Sequence, residues 1–139
     1  MEATEDYHER RGDLDAKVML GIMQLNGIVF KSQEFFGAIS LRDAAIQGHE
    51  LAQNVLAILF LKGEVVRQSD VDGLMWLTVL ASSRDKELAV WAEHAKRAYV
   101  EKPYSLWSRV PSSSVAIADR AAENCLRFRN VDSCWLVSR

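Results

Sequence analysis

A spacing of 36 residues recurs through the first half of the chain and constrains its fold more than any other feature of the sequence. Pairs of identical residues stand at this distance, without a gap, at Ala16/Ala52, Leu20/Leu56, Gly27/Gly63, Gly37/Gly73, Leu41/Leu77 and Ala45/Ala81. A fixed period of this size is typical of stacked helical repeats. The spacing therefore predicts that one supersecondary unit occurs at least twice.

The unit is predicted to be a helical hairpin, because apolar residues recur at i, i+3, i+4 and i+7 on both sides of a short turn. The pattern predicts helices at about 13–26, 33–47, 50–62, 69–83 and 85–99. The apolar stripe of the first helix consists of Ala16, Met19, Leu20 and Met23. Trp76 and Trp91 lie on the stripes of the fourth and fifth helices, so we expect both rings in the core.

The pattern ends near residue 100, where a linker that contains Pro103 and Pro111 is predicted. Serines at 112–114 can cap a last helix, which extends to about Phe128 and is followed by an apolar tail that we expect to pack. The sequence thus predicts an all-α fold, a right-handed α-solenoid of about two and a half helical hairpins with a C-terminal capping helix. We expect a flexible lead-in at 1–12, a helical repeat domain at 13–99, and the linker, capping helix and tail at 100–139.

Charge and hydropathy exclude two classes of partner. The net charge of −2 is too small to attract nucleic acid through a long-range field. The longest apolar run, residues 55–61, is far shorter than the roughly 18 residues of a membrane span. The acidic N-terminus has neither the basic start nor the apolar stretch of a signal peptide. We therefore expect a cytoplasmic protein without membrane insertion, and an extracytoplasmic one if a leader has been removed.

The sequence contains no recognisable catalytic or metal-binding constellation. His8, His49 and His94 are far apart and form no i, i+4 pair, and His49 is expected to be exposed in the turn between the repeats. No glycine-rich phosphate loop is present, and Asp70 and Asp72 are best interpreted as acids at the start of a helix. We therefore expect no catalytic residue, no metal and no cofactor.

Two cysteines, Cys125 and Cys134, leave two interpretations open. If the chain turns back near Asn130, a disulfide could join the last helix to the tail, which would imply an oxidising compartment. Two buried thiols in a cytoplasmic protein are the alternative, and the absence of a leader favours them.

The repeated residues resemble the SEL-one-like repeat family, whose helical hairpins are relatives of tetratricopeptide repeats. The first unit supplies Ala16, Leu20-Gly21, Gly27, Ala44-Ala45 and Gly48. The second unit supplies Ala52, Leu56, Phe60, Gly63, Trp76-Leu77 and Ala81. The resemblance covers residues 14–84 well and 85–99 loosely.

The resemblance implies that the first helix of each hairpin lines a concave surface that binds other proteins. Carried over by position, the exposed residues of that surface are Asp15, Val18, Ile22, Leu25, Asn26, Asn54, Ile58, Leu61, Lys62, Val90, His94 and Arg97. Several of them are apolar, and an exposed apolar patch usually marks an interaction site. The alternative is that the C-terminal helix or the tail covers the patch.

We therefore expect a non-enzymatic protein–protein interaction adaptor or scaffold. Its groove would bind through shape and apolar contact, with Lys62 and Arg97 orienting acidic groups of the partner. Three alternatives remain: a protein that neutralises a single toxin or effector, a homo-oligomer that assembles by stacking its ends, and an enzyme whose carboxylates converge from separate helices.

Overall fold

The computed structural model describes residues 2–25, 34–103 and 109–136, with side chains at 12–24, 36–103 and 109–136. Within these ranges the chain is all-α and contains no strand. Its helices are α1 (Glu2–Leu25), α2 (Glu34–Ile46), α3 (Glu50–Lys62), α4 (Asp70–Ala81), α5 (Lys86–Glu101), α6 (Ser112–Phe128) and α7 (Val131–Cys134). The predicted all-α class is confirmed, and the predicted bounds of α2 to α6 agree with the structure to within one or two residues. Gly27 and Asn26 lie outside the described residues.

Local capping explains where the central helices begin and end. The Ser69 side chain accepts a hydrogen bond from the backbone N–H of Asp72, and Asp85 caps α5 in the same way. Gly63 ends α3 at φ 74°, a left-handed conformation that glycine adopts without strain. Helix α6 is the exception, because Pro111 occupies its N-cap without a side-chain bond and the expected serine cap is wrong. The carbonyl of Pro111 instead accepts from Ser114, 3.0 Å away.

The N-terminal helix is longer than predicted. We expected a flexible lead-in at 1–12 and a helix from about Asp13, but α1 begins at Glu2. This segment lacks an apolar stripe, so periodicity could not reveal it. Its alanine, glutamate and arginine residues are nevertheless good helix formers, and acids near a helix N-terminus are favourable.

Helices α1 to α5 pack in chain order. The two hairpins, α1–α2 and α3–α4, each contain a close helix–helix contact at equivalent positions. A Cβ added to Gly21 of α1 would lie 3.0 Å from the carbonyl oxygen of Gly37 in α2. A Cβ added to Gly73 of α4 would lie 3.2 Å from the carbonyl oxygen of Ala57 in α3. The two contacts are related by the sequence period, since Ala57 stands 36 residues after Gly21 and Gly73 stands 36 after Gly37. A small residue on each helix therefore allows the same close approach in both hairpins.

The outer side of α1 differs from its counterpart in α3. Ala52 and Leu56 are completely buried, whereas their equivalents Ala16 and Leu20 are exposed. The predicted core stripe of α1 is therefore wrong. The reason is that α3 packs on both α2 and α4, whereas α1 packs mainly on α2 and buries Val18 and Gly21 there.

The C-terminal segment returns over α2, α3 and α4. Helix α6 packs on α4, and Lys96 of α5 is 2.5 Å from the carboxylate of Asp119. A disulfide joins Cys125 to Cys134, so the interpretation as two free thiols is wrong. The expected packing of the tail is confirmed, because the buried Trp135 ring lies 5.3 Å from Phe60.

Candidate functional site

The main candidate site is a cleft between α3 and α5, with α4 as its floor. Its volume is about 400 Å³, and its lining consists of Ile58, Leu61, Leu77, Trp91, Ala95, Ala98, Tyr99 and Lys102. We refer to it as the α3–α5 cleft. Within the described ranges, none of these lining residues comes from α6, α7 or the tail, because those elements pack on α2, α3 and α4 elsewhere.

Helical spacing brings the walls of the cleft together. Ile58 and Leu61 are three residues apart and therefore share one side of α3. On α5 the lining residues recur at i, i+4, i+7 and i+8 from Trp91, which again selects one side of the helix. The floor is buried, since Leu77 and Tyr99 belong to the core. The cleft is thus an apolar trough whose base is fixed by core packing.

Trp91 is the most exposed large apolar side chain of the cleft, with 44% of its surface accessible. The expectation that its ring lies in the core is wrong, whereas Trp76 is fully buried as predicted. The neighbouring Ala92 is one of the two residues that α5 buries, the other being Tyr99. Because adjacent residues of a helix point about 100° apart, burial of Ala92 turns Trp91 away from the core and toward the cleft.

A hydrogen-bond network fixes one end of the cleft. The buried Tyr99 hydroxyl donates to the Asp70 carboxylate at the start of α4. Gln68 donates to the same carboxylate oxygen over 2.8 Å. The bond from Tyr99 ties α5 to the start of α4, which forms the floor of the cleft. The exposed Lys102 is the C-cap residue of α5 and places a cation beside this end.

The predicted surface residues fall into several environments. Val18 and Leu61 are only 1% and 4% accessible, so their expected exposure is wrong. Val18 shares the side of α1 that carries Gly21 against α2, and Leu61 points at Gly73 of α4. The buried Leu61 nevertheless forms part of the lining of the α3–α5 cleft.

Only part of the predicted set meets in one place. Ile58 and Leu61 line the α3–α5 cleft, but Val90, His94 and Arg97 lie on the neighbouring side of α5, around a separate depression of about 300 Å³. The remaining described members are the half-buried Ile22 and Asn54 and the exposed Asp15 and Lys62. The side chain of Leu25 and all of Asn26 lie outside the described residues.

Asp15 and His49 have a structural arrangement that the sequence did not reveal. His49 is buried, so its expected exposure is wrong. Its Nδ1 accepts a hydrogen bond from the backbone N–H of Ala52 and caps α3, and its Nε2 donates to Asp15 over 2.7 Å. The pair joins α1 to the start of α3. The position of His49 directly before α3 was the available signal, although histidine is not among the preferred N-cap residues.

The pKa of the Asp72 carboxyl is clearly shifted. Burial raises the pKa of its carboxyl above the ordinary 3.8, and hydrogen bonds from Ser69 and from the backbone of Leu136 oppose the shift. Ser69 donates to the carboxylate over 2.5 Å while its own oxygen caps α4. The spacing Ser-x-x-Asp before an apolar run is a capping-box pattern, so Asp72 serves the helix start rather than the cleft.

The described side chains include no group of three or more histidine, cysteine, aspartate or glutamate residues arranged to hold a metal ion. Among the helices described here, none combines the length and the apolarity that a membrane crossing requires.

Comparison with known proteins returned no relative. No protein-family model matches the chain, and no curated protein and no solved structure matches it significantly. The α3–α5 cleft is therefore interpreted from its own geometry.

Proposed function

We propose that this chain is a non-enzymatic protein-binding module whose α3–α5 cleft receives an apolar segment of a partner protein. The observation that carries the proposal is the exposed Trp91 ring at the rim of a mainly apolar cleft. Tryptophan is enriched among the few interface residues that dominate binding energy, and it acts best beside a desolvated pocket. Trp91 next to the floor residue Leu77 has this arrangement.

The proposed architecture is a short right-handed α-solenoid of the SEL-one-like kind. The recurrence of the hairpin contact, Gly21 on Gly37 and then Ala57 on Gly73, supports it. The packing of α1 to α5 in chain order supports it as well. In such a solenoid α3 and α5 are successive first helices, and the cleft between them lies on the surface that the family uses for binding.

The charge around the cleft favours a partner segment that combines apolar and acidic residues. The lining contains one cation, Lys102, and no acidic residue. Lys102 replaces Arg97 in the orienting role expected from the sequence, because Arg97 faces another depression. A cation at the rim changes the association rate and the choice of partner more than the affinity, whereas the buried apolar contact provides most of the affinity.

The test is affinity purification of the tagged protein from its native host, followed by mass spectrometry. Trp91→Ala removes the central contact, and Val90→Ala is the matched control, because Val90 is equally exposed on α5 but lies outside the cleft. Both variants are first checked for unchanged helical circular dichroism and unfolding midpoint.

We expect a partner that binds the wild type and Val90→Ala but is weakened roughly tenfold or more by Trp91→Ala. One dominant partner at equal stoichiometry would identify a dedicated neutralising protein, and several partners would identify an adaptor. If no partner is recovered, or if all three proteins recover the same partners equally, the proposal fails.

We further propose that the protein works in an oxidising compartment, in place of the cytoplasmic location expected from the sequence. The disulfide between Cys125 and Cys134 supports this, because such bonds persist mainly outside the reducing cytosol. Rapid alkylation of native extracts with a maleimide reagent tests it. We expect no thiol to react before reduction and both to react afterwards, and two reactive thiols in the untreated extract would contradict the proposal.

A further inference from the structure

A second apolar surface lies at the other end of the helical array and is independent of the cleft. It consists of Ala16, Met19, Leu20 and Met23, which we call the α1 face. Met19 and Leu20 are 57% and 47% accessible, and Ala16 is exposed as well. The four residues follow the i, i+3, i+4, i+7 spacing of a helix-packing stripe rather than that of scattered surface residues.

The second hairpin indicates what this face is suited to contact. The equivalents of Ala16 and Leu20 one period later are Ala52 and Leu56, both completely buried. They lie on α3, which packs on the preceding helix α2, and Gln53 beside them donates to the carbonyl of Ala45 over 3.0 Å. At Ala16 and Leu20 the α1 face thus carries the same residues as a row that receives a helix, but no described helix covers Met19 or Leu20.

The opposite end of the array has a different character. In α5 the positions equivalent to Ala57 and Leu61 are Glu93 and Arg97, and both are exposed. Charged residues at these positions finish the array with a polar surface, as terminal repeats usually do. Head-to-tail stacking of copies would therefore press the α1 face onto charged side chains. The same face of another copy instead offers the α1 face a matching apolar row.

We propose that the α1 face forms a twofold-symmetric homodimer in which α1 of one copy packs antiparallel on α1 of a second. A twofold contact closes on itself, so assembly stops at two copies. Ala16 permits close approach of the helices, and the flexible methionines can adapt to each other across the axis. This proposal does not depend on a partner in the cleft.

The size of the face sets the expected affinity. The stripe from Ala16 to Met23 extends over about 11 Å at a rise of about 1.5 Å per residue. An interface centred on it falls below the roughly 1,200 Å² of total buried surface that is typical of stable complexes. We therefore expect a reversible dimer with a Kd of roughly micromolar order or weaker.

Sedimentation equilibrium over a range of about 1 to 500 µM protein tests the proposal, since it spans the expected Kd. Leu20→Glu places a charge at the centre of the face, and Val90→Glu places one at an equally exposed site on α5. We expect the wild type and Val90→Glu to shift from monomer to dimer, and Leu20→Glu to dissociate at least tenfold more readily. Monomers at every concentration, or equal association of all three proteins, would overturn the proposal.

A cross-linking experiment distinguishes the twofold geometry from stacking. Both native cysteines are bonded to each other, so Leu20→Cys introduces a single free thiol. Across a twofold axis this thiol meets its own copy, and mild oxidation should yield a covalent dimer, whereas a Val90→Cys control should stay monomeric. No covalent dimer from Leu20→Cys, or cross-linking of the Val90→Cys control to the same extent or more, would refute the proposed dimer.

Discussion

Replacement of Gly73 by alanine tests the close hairpin contact on which the helical array depends. The added Cβ would lie 2.3 Å from Cδ2 of Leu61 and 3.2 Å from the carbonyl oxygen of Ala57. Leu61 is buried, and its Cγ would also lie only 2.5 Å from the added Cβ, so the whole side chain has to shift to make room. Overpacking of this kind costs about 1–3 kcal/mol, and the very short distance argues for the upper end. Alanine recovers about 1 kcal/mol through its better helix propensity, which leaves a net loss of about 2 kcal/mol.

Gly12→Ala is the matched control, because Gly12 lies in α1 and nothing stands within 4 Å of its added Cβ. Only the helix propensity acts there, and we expect a gain of about 1 kcal/mol. The assay is urea unfolding followed by far-ultraviolet circular dichroism, with the free energy of unfolding extrapolated to water. The two glycine substitutions should thus shift stability in opposite directions while the slope with urea stays constant.

A double-mutant cycle locates the clash. Leu61→Ala alone should cost about 2–5 kcal/mol, because it removes a buried leucine. In that background the methyl group of Gly73→Ala has room, so the second substitution should cost nothing or stabilise the protein. If Gly73→Ala stabilises the wild type as Gly12→Ala does, or if the two losses simply add, α3 and α4 do not approach as described. The reasoning about the repeated contact would then be refuted.

Three further changes have defined expected outcomes. His49→Ala removes the cap of α3 and the bond to Asp15, and should lower the free energy of unfolding by about 1–2 kcal/mol, whereas His49→Asn, a good N-cap, should lose less. Reduction of the disulfide by dithiothreitol should lower it by about 2–3 kcal/mol, measured with the same urea assay at fixed pH, because the bond closes a loop over 9 residues. The raised pKa of Asp72 means that its protonated form is favoured by folding, a contribution that is complete below pH 3.8 and is lost as the pH rises through the folded pKa. Stability of Asp72→Asn relative to the wild type should therefore increase from acidic to neutral pH, and an unchanged difference would contradict the shift.

The helices themselves were largely predictable because their signals are local. The sequence placed α3 at 50–62, and the structure begins and ends it there, with Gly63 in the left-handed conformation. The capping residues Ser69 and Asp85 precede α4 and α5 as expected. Two elements were not predicted: the first part of α1 and the short α7. In the first part of α1, helix propensity acts without an apolar stripe.

The candidate site was only partly predictable because it depends on how each helix is rotated about its axis. Ile58 was expected at the surface and lines the cleft. Trp91 was expected in the core, although it and the buried Ala92 belong to stripes that fit the spacing of α5 equally well. Contact with α4 decides between these stripes, and that contact joins residues distant in sequence. Periodicity therefore identifies a helix and its candidate faces, but the neighbouring helix selects the face that is buried.

The neighbouring helix decides burial even for identical residues at equivalent positions of α1 and α3. Leu20 and Leu56 are separated by one 36-residue period of the sequence, yet one is 47% accessible and the other is completely buried. Their chemistry and local helix are the same, so the difference arises only from the helix that packs beside each. A repeat period reports which residues are equivalent, whereas burial also requires a neighbour. It follows that a terminal repeat can keep core residues on its surface, and these residues are suited to contact a further helix, as we propose for the α1 face. If the α1 face is instead solvent-exposed at every concentration, Leu20→Glu should leave the free energy of unfolding nearly unchanged, whereas Leu56→Glu should unfold the protein.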